Sequence, residues 1–320
     1  MPGVALRHIF DVPDTVAWQA SAIHADFLRF ISALLQGVEG KGASFPCVES
    51  PLITAVVSLL SEASGWLLEY PPIAQPMRFG NKAFRAWHAR LVAEAPRMCS
   101  ALGPSVAPAA ALELGSYLAD AFGNPTRLDY GTGHEATFAV FLYALGRAGL
   151  LAAADAPALG LRVFPAYIRL ARGVQRTYGL EPAGSHGAWT VDDYFLLSLL
   201  IGAAQLKGGA HGGPKALLDA ATREELRGDY LYADALAAIC EVKYGAPFAE
   251  HSPMLHELAG LASWGKLTDE LAKLFKTEVI GKMPVAQHFL FGDLFPADWA
   301  PSRAPVPSDA GAAMMEAQRL

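Results

Sequence analysis

Residues 15–36 read TVAWQASAIHADFLRFISALLQ, and this stretch decides the fold class. Apolar side chains recur at Ala22, Ile23, Phe27, Phe30, Ile31 and Leu34, three and four residues apart. That period lines one side of an α-helix and does not fit the alternating faces of a strand. The same period runs on down the chain. Ser50-Pro51 supplies an N-cap and a first-turn proline for a helix carrying Leu52, Val56, Leu59, Leu60 and Leu67, which stops before Pro71-Pro72. Asn81 caps a segment over about 82–95, with Phe84, Trp87 and Leu91 on one face and Pro96 closing it. Helices are expected over 109–122, 134–151 and 164–178, the last stopped by Gly179.

Thr190-Val-Asp-Asp193 resembles a capping box, with Asp where Glu or Gln is commoner. The helix beyond it, to about Leu206, is almost wholly apolar and is expected at the centre. After the flexible Lys207–Gly213 connection, helices are expected over 214–226, 230–243, 253–263 and 267–281, with Ser252-Pro253 and Thr268 as starts. Only 288–295 carries a weak strand pattern. The expected architecture is all-α, a single unit over residues 1–303 followed by a loosely ordered tail over 304–320.

Composition narrows the function classes. With 52% hydrophobic and 18% charged residues, the 320-residue chain can bury a large core and is not globally disordered. A net charge of −6 lacks the basic footprint of a general nucleic-acid binder. Cys47, Cys99 and Cys240 are far apart and lack zinc-site spacing, as expected of buried thiols in a reducing compartment. The N-terminal residues lack a signal peptide's apolar block, and 136–154 and 194–206 read as core helices rather than membrane spans. A cytoplasmic location is expected, with nuclear entry left open.

Four clusters carry possible chemistry. The first is Arg127-Leu-Asp-Tyr-Gly-Thr-Gly-His-Glu-Ala-Thr137. If Tyr130–Gly133 leads into a helix, its amides and the Thr132 hydroxyl can donate to phosphate oxygens, with Arg127 adding a charge-assisted contact. The alternative is a tight turn with an Arg–Asp brace and His–Glu capping. The second cluster is Glu181–Tyr194, where Gly184 and Gly187 permit close backbone approach. Asp192 and Asp193 diverge on a helix start, so one can cap while the other faces a cation. Trp189 is either core or a stacking surface. The third, Tyr244–Pro253, holds Glu250 and His251 and is either a pocket wall or an interhelical turn capped by Ser252. The fourth is Lys282–Gly292, where Pro284, Gln287 and His288 can read a base or a peptide. No G-x-S-x-G elbow, HExxH helix or Walker-type phosphate loop occurs.

Five blocks occur in a telling order: RFGNKAFRAW at Arg78–Trp87, DYGTGHE at Asp129–Glu135, EPAGS at Glu181–Ser185 with Asp192-Asp193, GAPFAEHS at Gly245–Ser252, and PVAQHF at Pro284–Phe289. Together they resemble the phosphotyrosyl phosphatase activator family, also called the type 2A protein phosphatase activator, from about residue 8 to 300. The resemblance implies an all-α fold of core, lid and linker subdomains around a deep pocket. It implies binding to the catalytic subunit of type 2A phosphatases, with ATP and magnesium shared at the interface. It also implies peptidyl-prolyl cis–trans isomerase activity on proline-containing peptides, for which Trp189, Asp193 and His251 are the pocket candidates. By motif, Arg127, Thr132, Gly133, Pro284, Gln287 and His288 are implied nucleotide contacts. Gly187 and Asp193 are implied on the magnesium side. Neither nucleic acid nor a membrane is expected as a partner. The chain departs from the family pattern at Thr190 (usually glycine), at His186 (commonly glutamine) and in the Gly-rich 207–213 segment, which bears on pocket shape and partner fit.

Overall fold

The computed structural model describes residues 3–76, 80–183 and 194–318. The long N-terminal stripe forms two helices, α1 (Val12–Ala20) and α2 (Ala22–Val38). They break at Ser21, whose hydroxyl donates to the Trp18 carbonyl (2.6 Å) and accepts from the His24 amide (3.1 Å). Serine offers the backbone an alternative to the helical ladder, and here it ends one helix and caps the next. α3 (Pro51–Glu69) starts as expected, with Ser50 accepting from Ile53 N.

α4 (Phe84–Ser100) runs straight through Pro96 instead of stopping there. The facing helix α5 (Pro108–Asp120) presents Gly115, where a side chain would crowd the Pro96 backbone. α6 (Thr132–Arg147) is buried from His134 to Leu145, and α7 (Phe164–Tyr178) ends at Gly179 in the left-handed conformation (φ 57°). α8 (Leu197–Gln205) is buried throughout and packs against α2, α6, α9 (Leu231–Val242) and α10 (Trp264–Leu274). A Cβ at Gly202 would overlap the Tyr232 backbone, so glycine alone permits the close approach of α8 and α9. α10 starts at a Ser263 cap. Thr268, expected at the start, lies inside it and donates to the Trp264 carbonyl.

Strands are short. β1 (Leu6–Arg7) lies between β4 (Leu290–Phe291) and β5 (Val306–Pro307), both antiparallel to it. β2 (Asp129–Tyr130) pairs in parallel with β3 (Glu181–Pro182). The expected loose tail is therefore corrected over its described part: β5 pairs with β1, and α11 (Asp309–Ala317) buries Ala310 and Met314. Long-range pairing and a Ser308 cap supply what composition did not reveal.

Two fully removed carboxylates tie distant segments to the helical centre. Glu135 on α6 accepts from the amides of Leu196, Leu197 and Ser198 at 2.6, 2.7 and 2.9 Å, closing the N-terminus of α8. Glu113 on α5 accepts from the amides of Asp293, Leu294 and Phe295 and from Tyr117 Oη. Glu135→Ala strands three buried donors and is expected to cost about 3 kcal/mol or more in chemical denaturation. Glu135→Gln keeps one acceptor oxygen and is expected to cost less. An alanine variant within about 0.5 kcal/mol of wild type contradicts this role.

Candidate functional site

The 124–133 turn is built by Asn124. Its Oδ1 accepts from the amides of Thr126 (2.9 Å) and Arg127 (2.8 Å), while its own amide donates to the Asp129 carbonyl. Leu128 follows with φ 58°, the positive-φ non-glycine residue among those described. This reversal sends Asp129-Tyr130 alongside Glu181-Pro182 and leads Gly131 into α6. Arg127 Nε donates to Asp129 Oδ2 at 2.6 Å, the brace weighed as an alternative from the sequence. Arg127 remains 43% exposed, so the rest of its guanidinium fork is open.

Gly131 is the N-cap of α6 and has no side chain to cap with. The Thr132 and Gly133 amides find no acceptor among the described residues. Beneath them the floor is rigid: Tyr130 and Tyr167 hydroxyls meet at 2.6 Å, and Tyr167 stacks on Phe138 at 3.8 Å. A Cβ on Gly133 would press on Val285, and one on Gly131 on Ala183. Both glycines mark where separate segments close on the helix start.

A cavity of about 210 Å³ opens at this point. Arg127, Thr132, Gly133, Pro284 and His288 line it, five residues singled out from the sequence and drawn from two distant segments. Gln287 does not line it; its side-chain amide donates to the Pro284 carbonyl one turn back. His251 lies on the Tyr244–Pro253 segment, where Nδ1 meets Ser252 Oγ at 2.8 Å, and is not part of this cavity. Trp189, Gly187 and Asp193 lie outside the described residues, as do Thr190 and His186.

Sequence reasoning missed Asp120, Ala183 and Val285, which also line the cavity. Asp120 falls inside the helix expected over 109–122; its place at the site follows from tertiary packing, with its carbonyl 2.6 Å from His134 Nδ1. Burial raises the Asp120 pKa against the opposing charges of His134, Arg7 and Arg127. Asp129 Oδ1 is buried without a partner. The surroundings thus combine cationic groups with carboxylate oxygens that have acceptor capacity left, a donor and acceptor set that suits a phosphate and its counter-cation.

His288 is held neutral. Burial pushes its pKa down to about 4, and the charges of Arg127, Arg7 and His134 act in the same direction. Burial also lowers His88, beneath α5, to about 4.

Comparison with known proteins settles the family. The family model described as "Phosphotyrosyl phosphate activator (PTPA) protein" matches residues 5–297. The chain belongs to this family. Among similar PTPA proteins, the "Probable serine/threonine-protein phosphatase 2A activator 1" of Dictyostelium discoideum is 42% identical over 270 residues, covering 84% of this chain and 83% of the relative. The "Serine/threonine-protein phosphatase 2A activator 2" of Eremothecium gossypii is 39% identical over 295 residues, covering 91% and 82%. The crystal structure of the PP2A phosphatase activator Ypa1 PTPA1 superposes with a TM-score of 0.84 at 33% identity, covering 92% of this chain and 96% of that one. The all-α fold expected from helical periodicity is the PTPA fold.

The unfolded chain binds protons at these two histidines below about pH 6.5, whereas the folded PTPA chain does so only near pH 4. Their stabilising contribution is therefore present above pH 6.5 and lost as pH falls towards 4. It amounts to roughly 3 kcal/mol each at most. NMR titration is expected to find His288 near 4 in the free protein, and higher once a phosphate ligand fills the cavity. A free-protein value near 6.5 contradicts the buried, cation-flanked setting.

Proposed function

We propose that this chain activates the catalytic subunit of type 2A serine/threonine protein phosphatases, using ATP and magnesium at the cavity shared by Arg127, Thr132, Gly133, Pro284 and His288. The observation that carries the nucleotide part is this convergence around an uncapped helix N-terminus. The activator part follows the similar proteins, which are phosphatase 2A activators by name. Arg127 and the two free amides would bind phosphate oxygens, and neutral His288 would add a hydrogen bond. Gly187 and Asp193, through the family motif, would hold magnesium; Asp120 and Asp129 supply further carboxylate oxygens on the described side. Bound ATP–magnesium would supply a charged bridge between the two proteins.

The cavity's volume of about 210 Å³ falls below the ~300–1,000 Å³ usual for a small-molecule site. A whole nucleotide therefore reaches beyond it, which fits a site completed by the partner. Activation requires that the chain bind the active conformation of the phosphatase more tightly than the inactive one, since only differential affinity moves an equilibrium. The expected site of action is the cytoplasm, with the nucleus open.

The test is recovery of phosphatase activity as a function of ATP. Arg127→Ala removes a charge-assisted contact and is expected to raise the ATP requirement about tenfold or more. Asp193→Ala is expected to weaken the magnesium dependence. If both variants fold and activate like wild type, the assigned nucleotide site is wrong.

A second reading, prolyl isomerisation, draws on a separate cavity of about 290 Å³. Leu180, Phe195, Ala235, Ala238, Ile239 and Val242 give it an apolar wall, beside the charged Arg172, Arg176, Glu181 and Lys243. The Arg172 guanidinium lies over the Phe195 ring, 5.4 Å from its centre. Such a pocket can hold a proline ring and favour a twisted peptide bond, lowering a barrier of ~18–20 kcal/mol without a covalent nucleophile. Lys243 on its rim lies close enough to lower the His251 pKa, after burial. A protease-free assay with proline peptides checks this reading. Ala238→Leu, which fills the pocket, is expected to abolish any acceleration. Wild type that gives none at high protein concentration rejects the reading and leaves a non-catalytic binding chaperone.

A further inference from the structure

A third cavity, of about 630 Å³, shares no lining residue with the two already described. α7 contributes Arg169 to its wall, α8 contributes Gln205 and α9 contributes Asp234. Its volume lies inside the ~300–1,000 Å³ usual for a small-molecule site. Asp234 is ion-paired with Arg172 of the prolyl pocket, so one pair links the walls of the two cavities.

The carboxylates of this cavity are matched, and two of its donors are not. Arg162 gives Nε to Glu49 (2.5 Å) and its other nitrogens to the Ala43 and Phe45 carbonyls. Arg227 takes Glu241 and Asp234, with Glu224 at 3.6 Å. Asp229 accepts from the Ser44 amide (2.5 Å) and from its hydroxyl (3.2 Å). Arg169, by contrast, makes no hydrogen bond or ion pair among the described residues, although it lines the cavity. Gln205 is only 1% exposed. Its Oε1 accepts from the Leu231 amide at 2.9 Å, which fixes the orientation of the side-chain amide, and Nε2 is left buried without a partner. An N–H withdrawn from water with no acceptor is costly, so both uncommitted groups call for an acceptor from outside the chain.

We infer that this cavity binds a small organic monocarboxylate. The Arg169 fork and the Gln205 amide take its carboxylate, and Val57, Leu161, Pro165 and Leu231 cover an apolar body. A planar guanidinium meets a carboxylate through two parallel hydrogen bonds. Burying the hydrocarbon part against the aliphatic side chains adds a favourable contribution that grows with its area. A doubly charged phosphate suits the site less well, because Glu49, Glu224, Asp229 and Asp234 line the same cavity and repel a second negative charge. The site stands whether or not the nucleotide and prolyl readings hold, since it draws on neither cavity.

The experiment titrates the full chain with hexanoate and 3-phenylpropionate, each beside its own primary amide, and with inorganic phosphate, read by calorimetry and by ligand-observed NMR. Both acids are expected to bind saturably, and about tenfold more tightly than their amides or phosphate. Arg169→Gln removes the fork at an exposed position and is expected to weaken the acids about tenfold while leaving the amides within about twofold. Val57→Phe narrows the cavity and is expected to weaken acids and amides alike. Acids that bind both folded variants as they bind wild type overturn the inference, and so does wild type that shows no saturable acid binding at millimolar concentration. Phosphate that binds more tightly than either acid overturns the monocarboxylate assignment. Should Val57→Phe unfold the chain, Arg169→Gln alone decides.

Discussion

A carboxylate withdrawn from water must collect several donors or weaken the fold that holds it. Glu135 meets that demand with three consecutive amides at the start of α8. Glu113 meets it with three consecutive amides of residues 293–295 and a tyrosine hydroxyl. Each acid sits on a central helix and seizes a segment far away in sequence. Through Glu135, α6 holds the entry to α8, downstream of the β3 segment that pairs with Asp129-Tyr130. Through Glu113, α5 holds the chain just beyond Pro284–His288. The site converges because these two side chains fix where its parts arrive. Burial raises the Glu113 pKa even though its hydrogen bonds act to lower it, so positioning comes at an electrostatic cost.

Much of this was legible locally. The Ser50-Pro51 start and the Gly179 stop are backbone chemistry written in adjacent residues, and the structure keeps both. The Arg127–Thr137 cluster announced a helix start by its glycines, and Arg127, Thr132 and Gly133 do line one cavity. What escaped was set by distant partners. The Ala22 amide, at the break between α1 and α2, donates to Asp298. Pro96 stays helical because Gly115 on another helix makes room for it. β1 and β5 are each two residues long, too short for any periodic signal, and exist through their pairing. Asp120 belongs to no motif; the fold alone carries it to the site.

The electrostatics of the cavity follow from the same convergence. Arg127 spends one nitrogen on Asp129 and keeps the rest of its fork. His288 is stripped of its proton by burial and by surrounding cations. The Arg127 guanidinium keeps its charge at any physiological pH, while His288 offers neutral hydrogen bonding. An arriving anion would relax that field and restore basicity to His288, which would couple its binding to proton uptake.

Helix starts differ in how they are closed, and α4, α5, α7 and α9 begin, like α6, without a cap from their own N-cap side chain. α1, α2, α3, α10 and α11 each begin at an Asp or Ser whose side chain accepts an amide of the first turn. Those ends are closed by their own chain. α6, which carries the central motif, begins at glycine. A serine there would cap the helix, but its Cβ would press on Ala183, and its oxygen would take the donors that a phosphate needs. The residue that lets β3 close against the turn is the same one that leaves the amides unspent. Packing and ligand capacity thus place a single demand on position 131, and glycine is the residue that satisfies both.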